Sequence, residues 1–298
     1  MEGLLSNTKA MFGGSILLMF VLVALFGPLV VQDPSAFVDL PLQPPSADHW
    51  FGTTGQGQDV FAQTIAGTRS SLLIGLIVGF SVVSIGAVVG TAAGYFGGWV
   101  DDLLSTIINV FLIMPGLPLM VVLAAYLPPG PGSIAMVLIL TGWSWSARVV
   151  RSQALALRKK DFVAAAEVMG ERPIRIIVVE ILPNMLSLLA SAFIGATNYA
   201  IAAQVGLEFL GLGEVSAVTW GTNLYWATND AALLTGSWWT FVPTGVAVAL
   251  VSFALVLVNN AIDELGNPRL RSERAFVKAL GLRSISPDEP TPVLRRPK

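Results

Sequence analysis

The fold class this sequence predicts is an all-α polytopic membrane protein of six transmembrane helices. Composition excludes a soluble globular chain. Of 298 residues, 54% are hydrophobic and only 12% charged, and the mean hydropathy is +0.72. Six apolar stretches reach the roughly 20 residues that a helix needs to cross a bilayer. The lysines and arginines fall almost wholly on one side of those six stretches.

Met11–Val31 is the first stretch. It is too long for the apolar region of a signal peptide and lacks a clear small-residue cleavage site, so a retained span is expected. Proline and aspartate mark Pro34–His49, where extended chain is expected. The second span is Leu72–Phe96, with Gly75, Gly79, Gly86, Gly90 and Gly94 mostly four residues apart. Such a stripe permits close helix packing and fits a dimer seam or a pore wall. Gly94 is followed by Tyr95-Phe96-Gly97-Gly98-Trp99, a tight turn into the third span, Leu103–Leu127. Ser133–Val149 is the fourth and ends among arginines; Leu182–Gly206 and Ser237–Ile262 are the fifth and sixth.

Aromatic residues near the span ends, among them Trp220, Tyr225, Trp226, Trp238 and Trp239, suit interfacial belts. The polar residues within spans, Asn109, Ser144, Ser146, Asn198, Tyr199, Gln204 and Asn259, suit hydrogen bonding between helices. Ser272–Lys298 is polar and proline-containing, and is expected to be disordered beyond a short helix around Glu273–Leu280. The chain thus divides into 1–70 (first span and outer segment), 71–271 (the transmembrane domain) and 272–298 (the tail).

With six spans, sixteen of the 17 lysines and arginines share one side, and Arg69 alone falls on the other. By the positive-inside rule both termini and the loop around Ala164–Gly170 face the cytoplasm. The opposite loops carry Asp33, Asp39, Asp48, Asp59, Glu208, Glu214 and Asp230. The net charge of -2 conceals this asymmetry, and basic groups spread along membrane flanks do not suit nucleic acid. Cysteine is absent and His49 is the one histidine, so no disulfide framework and no Cys/His metal site is expected; His49 reads as a solvated loop residue. No nucleophile elbow and no phosphate loop occurs, so neither catalytic residues nor ATP binding by this chain is expected. Nor does an acidic or histidine relay cross a span, as ion-coupled carriers need.

The most informative segment is Asp161–Asn184, DFVAAAEVMGERPIRIIVVEILPN. Asp161 stands where an N-cap belongs, good helix formers follow, and Gly170 stands where a helix stops. Residues 161–170 alone fit an ordinary connecting helix equally well. Leu182-Pro183-Asn184 at the head of the next span tips the reading. Ala164, Ala165, Ala166 and Gly170, followed by Leu182-Pro183, resemble the EAA loop of ABC importer permeases, E-A-A-x-x-x-G and then I-x-L-P. Ala164 replaces that family's Glu and Glu180 its Ile.

A second set of residues narrows the resemblance. Phe51-Gly52-Thr53, Gly57, Asp59-Val60, Gly67, Arg69 and Ser71-Leu72 match the signature before the second helix in C-type permeases of the dipeptide/oligopeptide/nickel family; Thr54, Gln58, Ala62, Gln63 and Ala66 depart from it. Ala93–Asp102, Leu210-Gly211-Leu212-Gly213, Trp220-Gly221, Pro243 and Asn267-Pro268-Arg269 extend the match over most of the chain.

The resemblance implies a type I ABC importer transmembrane domain in a bacterial cell membrane. Its coupling helix (Ala164, Ala165, Ala166, Glu167, Gly170, with Leu182 and Pro183) would be driven by two ABC ATPase subunits, which hold the ATP and Mg. A B-type permease would complete the path, an extracytoplasmic solute-binding protein would dock on the outer loops, and Gly211, Gly213, Trp220 and Gly221 would contact either that protein or the closed outer gate. Peptides are the expected cargo, with oligosaccharides the alternative. A carrier or channel acting alone is the rival from another class.

Overall fold

The computed structural model describes residues 8–266. The expected helices are present, with changed limits. They run α1 (Thr8–Val30), α2 (Val60–Phe96), α3 (Gly98–Ile113), α4 (Gly116–Tyr126), α5 (Pro131–Arg158), α6 (Asp161–Val168), the single turn α7 (Pro173–Arg175), α8 (Leu186–Phe209), α9 (Trp220–Asn229), the short α10 (Ala232–Thr235) and α11 (Val242–Gly266). The tail and Asn267-Pro268-Arg269 lie outside the described residues.

α2 is the axis of the bundle. Its 37 residues span about 55 Å at 1.5 Å per residue, well beyond the ~30 Å hydrocarbon core. Hydropathy found only the embedded part from Leu72; the helix begins twelve residues earlier, where the Asp59 carboxylate accepts the N–H of Ala62. Residue 70, the boundary drawn from sequence, therefore lies in mid-helix. At the other end Gly97 alone separates α2 from α3, and it and Gly98 have φ of 64° and 52°. Left-handed backbone at two successive residues suits glycine, which has no Cβ to clash.

The glycine stripe is an internal seam, not a dimer face. Toward the acidic end, Gly75 and Gly79 meet Ile201 and Thr197 of α8. Toward the basic end, a Cβ on Gly86 would lie 2.6 Å from Ser146 Cβ, and one on Gly94 2.6 Å from Ala154 Cβ, both on α5. One helix thus holds two others at backbone distance. α1 packs similarly on α11, where a Cβ on Gly13 would be 2.9 Å from the Ala254 carbonyl.

The third predicted span, Leu103–Leu127, is not one straight helix. α3 and α4 meet at 87° around Met114-Pro115, because Pro115 has no N–H to give the ladder and its ring disfavours helix before it. Together they are long and apolar enough for one crossing, and they pack beside α5. Asp101 and Asn109 bond Arg151 and Arg148, and Phe111 packs on Trp143. Met120 and Ala124 then pack in one cluster with Ile134, Val137 and Leu138. The other five spans are continuous. α5 runs on through its arginines to Arg158 because Asp101 holds Arg151 in a paired contact, at 2.5 and 2.7 Å.

The outer segment is folded rather than extended. Residues 38–43 turn back on 52–57 through Val38 N–H to the Gly57 carbonyl (2.9 Å), Leu42 N–H to Thr54 (3.0 Å) and Thr53 N–H to Gln43 (3.0 Å). His49 is not a solvated residue. Its Nδ1 lies 2.9 Å from Asp59 Oδ2, which ties this strap to the start of α2.

Candidate functional site

α6 carries the predicted coupling residues, and local chemistry sets both its ends. Asp161 is the first helical residue rather than the N-cap, a position taken by Lys160; its carboxylate still lies at the positive end of the helix. At the far end Gly170 has φ of 80°. Its N–H bonds the Glu167 carbonyl (3.0 Å) and the N–H of Glu171 bonds that of Ala166 (3.1 Å). This pair of bonds is the Schellman motif, which needs a left-handed residue at Gly170.

α6 has two faces. Val163 and Ala166 are buried with Tyr95, Val150, Ala154 and Ile176 in the core of the basic end. Phe162, Ala164, Ala165, Val168 and Met169 point outward, with Val168 89% and Met169 75% exposed. Ile174 of α7 is exposed as well. Of the predicted set, then, Ala164, Ala165 and Gly170 are free to be touched, whereas Ala166 anchors the helix to the bundle. Glu167 is exposed but engaged, since its Oε1 accepts the Tyr95 hydroxyl at 3.2 Å. The Arg158 guanidinium lies 5.7 Å from the centroid of the same ring. Sequence had assigned Tyr95 to a turn; only the fold brings it to α6.

Leu182 and Pro183 do not open the fifth span. They lie inside a continuous helical run, Pro173–Phe209. The proline cannot supply the ladder N–H, and the chain widens before it into a π-helical stretch, Ile176–Ile181, then tightens to 3-10 over Pro183–Met185. Leu182 N–H reaches back to the Ile177 carbonyl at 2.8 Å. Ile176, Ile181 and Met185 are buried in the same cluster as Val163 and Ala166, so this irregular stretch supports α6 from beneath.

The second predicted group sits at the acidic end and is largely internal. Trp220 is fully buried, neither belt nor docking residue. Its N–H donates to Ser71 Oγ (3.1 Å), its indole N–H to the Thr64 carbonyl (3.2 Å), and its ring stands edge-on to Phe20. Gly213 and Gly221 are also buried, against Glu208: a Cβ would lie 2.8 Å from Glu208 Cγ in one case and 2.5 Å from Glu208 Oε2 in the other. Gly211 repeats the Gly170 device at the end of α8, with φ of 77°, and backs onto the Tyr225 ring.

Glu208, read from sequence as an outer-loop acid, occupies the last turn of α8. It accepts from Gln204 Nε2 (3.1 Å), Thr219 Oγ (2.6 Å) and the Gly221 backbone. A buried carboxylate needs such donors. The Gly-rich spacing around it was the one available signal, since Gly213 and Gly221 let their two segments close on this side chain.

Asp230 follows α9 and accepts the N–H of Gly55 in the strap at 3.1 Å. Burial raises its carboxyl above the ordinary value, against a smaller opposing effect from that N–H. Among the described residues no group of three or more His, Asp or Glu side chains could hold a metal ion.

Residues 86–272 match the family described as binding-protein-dependent transport system inner membrane component. Residues 2–45 match the N-terminal TM domain of oligopeptide transport permease C. The chain is 34% identical over 270 residues to the dipeptide transport system permease protein DppC of Bacillus subtilis (strain 168), covering 89% of this chain and 83% of that one. It is 34% identical over 271 residues to the oligopeptide transport system permease protein OppC of Mycobacterium tuberculosis (strain ATCC 25618 / H37Rv), covering 89% and 91%. The OppC protein of Bacillus subtilis (strain 168) is 31% identical over 269 residues, covering 89% and 87%. With a helical bundle, a family match over more than half its length and relatives 34% identical over 89% of the chain, this chain belongs to the binding-protein-dependent transport system inner membrane component family, as a permease with the transmembrane-domain fold of type I ABC importers.

Proposed function

We propose that this permease carries peptides across a bacterial cytoplasmic membrane as one half of a heterodimeric path, with a B-type permease as the other half. Two ATPase subunits, alike or paired, bind ATP and Mg and grip α6 from the cytoplasm, where both chain termini also lie. A solute-binding protein delivers cargo at the acidic end. The observation that carries this reading is the outward face of α6: Ala164 and Ala165 leave a low surface, with exposed Val168 and Met169 following on the same helix end. A patch of that kind on a short helix beyond the membrane suits a partner's groove. The dipeptide and oligopeptide relatives support peptides as cargo.

Within this reading Gly211, Gly213, Trp220 and Gly221 act from inside, holding the outer loop shut around Glu208 rather than touching the binding protein. The deciding experiment is binding-protein-stimulated ATP hydrolysis by the assembled transporter in liposomes, with peptides and with oligosaccharides. Stimulation by peptide-loaded binding protein is expected. Stimulation by oligosaccharides alone would replace the cargo, and solute entry with no ATPase in the complex would overturn the importer reading.

A further inference from the structure

Beside the α3–α4 break lies a cavity of about 660 Å³, within the range of small-molecule sites (roughly 300–1,000 Å³). Met114 and Gly116 of the break form one wall, Val78 and Val82 of α2 another. The remaining walls belong to α5 and α8, the helices that run into and out of the α6 region. A displacement of α6 therefore reaches two of the four walls directly.

Among the described residues, no charged side chain lines this cavity. Its polar side chains are Thr141, Ser144, Trp145 and Ser146 of α5 and Ser191 and Tyr199 of α8. Ser144, Ser146 and Tyr199, which the sequence suggested as links between helices, also line it. The Tyr199 hydroxyl meets the Met120 thioether at 3.8 Å, a weak acceptor. Thr141 and Ser191 already donate within the protein, to the Val137 carbonyl (2.9 Å) and to Asp263 Oδ1 (2.5 Å). For the hydroxyls of Ser144, Ser146 and Tyr199, a lipid tail at membrane depth offers no good partner, whereas water or a polar solute does.

Of the three glycines that line the cavity, Gly195 is the one that packing does not account for. It lines the cavity, is exposed, and a Cβ there would meet no atom within 4 Å. The glycines of α2 are the opposite case, since each of Gly75, Gly79, Gly86, Gly90 and Gly94 abuts a neighbouring helix.

We propose that this cavity is the chain's share of the solute path, that its hydroxyls take polar backbone groups without selecting on side-chain charge, and that the absent side chain of Gly195 sets the length of cargo that passes. The proposal rests on the importer reading above.

The chain contains no cysteine, so Gly195→Cys gives it a single thiol. In the assembled transporter, a charged water-soluble methanethiosulfonate should modify Gly195→Cys, read as added mass on this chain, and loaded binding protein should slow the reaction. Phe80→Cys, 67% exposed on α2 between Val78 and Val82 but not lining the cavity, should react only with a lipid-soluble maleimide. Modification of Gly195→Cys by the maleimide alone would mean that lipid fills the cavity, and would overturn the proposal.

The second readout is the ratio of long to short neutral peptide taken up by the same liposomes. Gly195→Phe should lower that ratio, and Gly195→Ala should lower it less. An unchanged ratio, or equal loss at every length, overturns the size claim. A parent complex without stimulated hydrolysis would sink the importer reading instead, and the labelling at Gly195 would still report whether water fills the cavity.

Discussion

The hydroxyl of Tyr95, at the end of the longest helix, donates to the carboxylate of Glu167 on the helix that faces the cytoplasm in the proposed importer; the two are 72 residues apart in sequence and 3.2 Å apart in space. This bond joins α6 to α2, which packs along both α5 and α8. It gives a movement of α6 a route to the axis of the bundle besides its chain connections.

Tyr95→Phe removes the bond and keeps the ring. A hydrogen bond of this type contributes about 0.5–1.5 kcal/mol, so the protein should still assemble. The amount of solute moved per ATP hydrolysed should fall. Glu167→Gln retains an acceptor and should preserve that ratio, whereas Glu167→Ala should reproduce Tyr95→Phe. An unaltered ratio in Tyr95→Phe would show that the bond transmits nothing.

Gly170→Ala places a side chain in left-handed backbone, at about 1–2 kcal/mol, and should loosen the end of α6. Gly170→Glu adds a bulky charge on the exposed turn and should uncouple transport. Both are to be measured as uptake at matched expression. Normal uptake with Gly170→Glu would remove this turn from the contact with the ATPase.

Trp220→Ala empties a fully buried site and should cost about 3–5 kcal/mol, seen as a lower unfolding temperature in detergent. A docking role for Trp220 predicts another pattern, with stability unchanged and only the affinity for binding protein reduced.

Asp230 should make the strap sensitive to pH. Its carboxyl is raised above the ordinary 3.8, chiefly by burial. The folded protein therefore holds this proton more tightly than the unfolded chain does. The stability gained is full below the ordinary value and is lost as pH rises through the raised one. Amide-exchange protection at Thr53 and Thr54, corrected for intrinsic rates, should decline from pH about 4 towards neutrality. In Asp230→Asn that slope should vanish. A slope that survives the substitution would assign it to another group.

Much of the fold was legible in the chain because the bilayer imposes simple requirements. A crossing helix must be apolar for about 20 residues, and basic residues mark one side. Composition, the six stretches and the order of the motifs therefore determined the class, the transmembrane domain and the position of α6. Where hydropathy was the sole guide, limits shifted: α2 starts at Val60 because Asp59 caps it, and Pro183 lies within a helix because a π-helical stretch absorbs it.

What the sequence could not decide is which surfaces meet, since that depends on residues far apart in the chain. Only the tertiary structure turned the glycine stripe inward onto α5 and α8, buried Trp220, closed Gly213 and Gly221 on Glu208 and left Gly195 facing open space. Spacing shows that a residue can approach a neighbour closely. Whether a neighbour is there follows from how the helices cross, which is settled by the packing of the whole bundle.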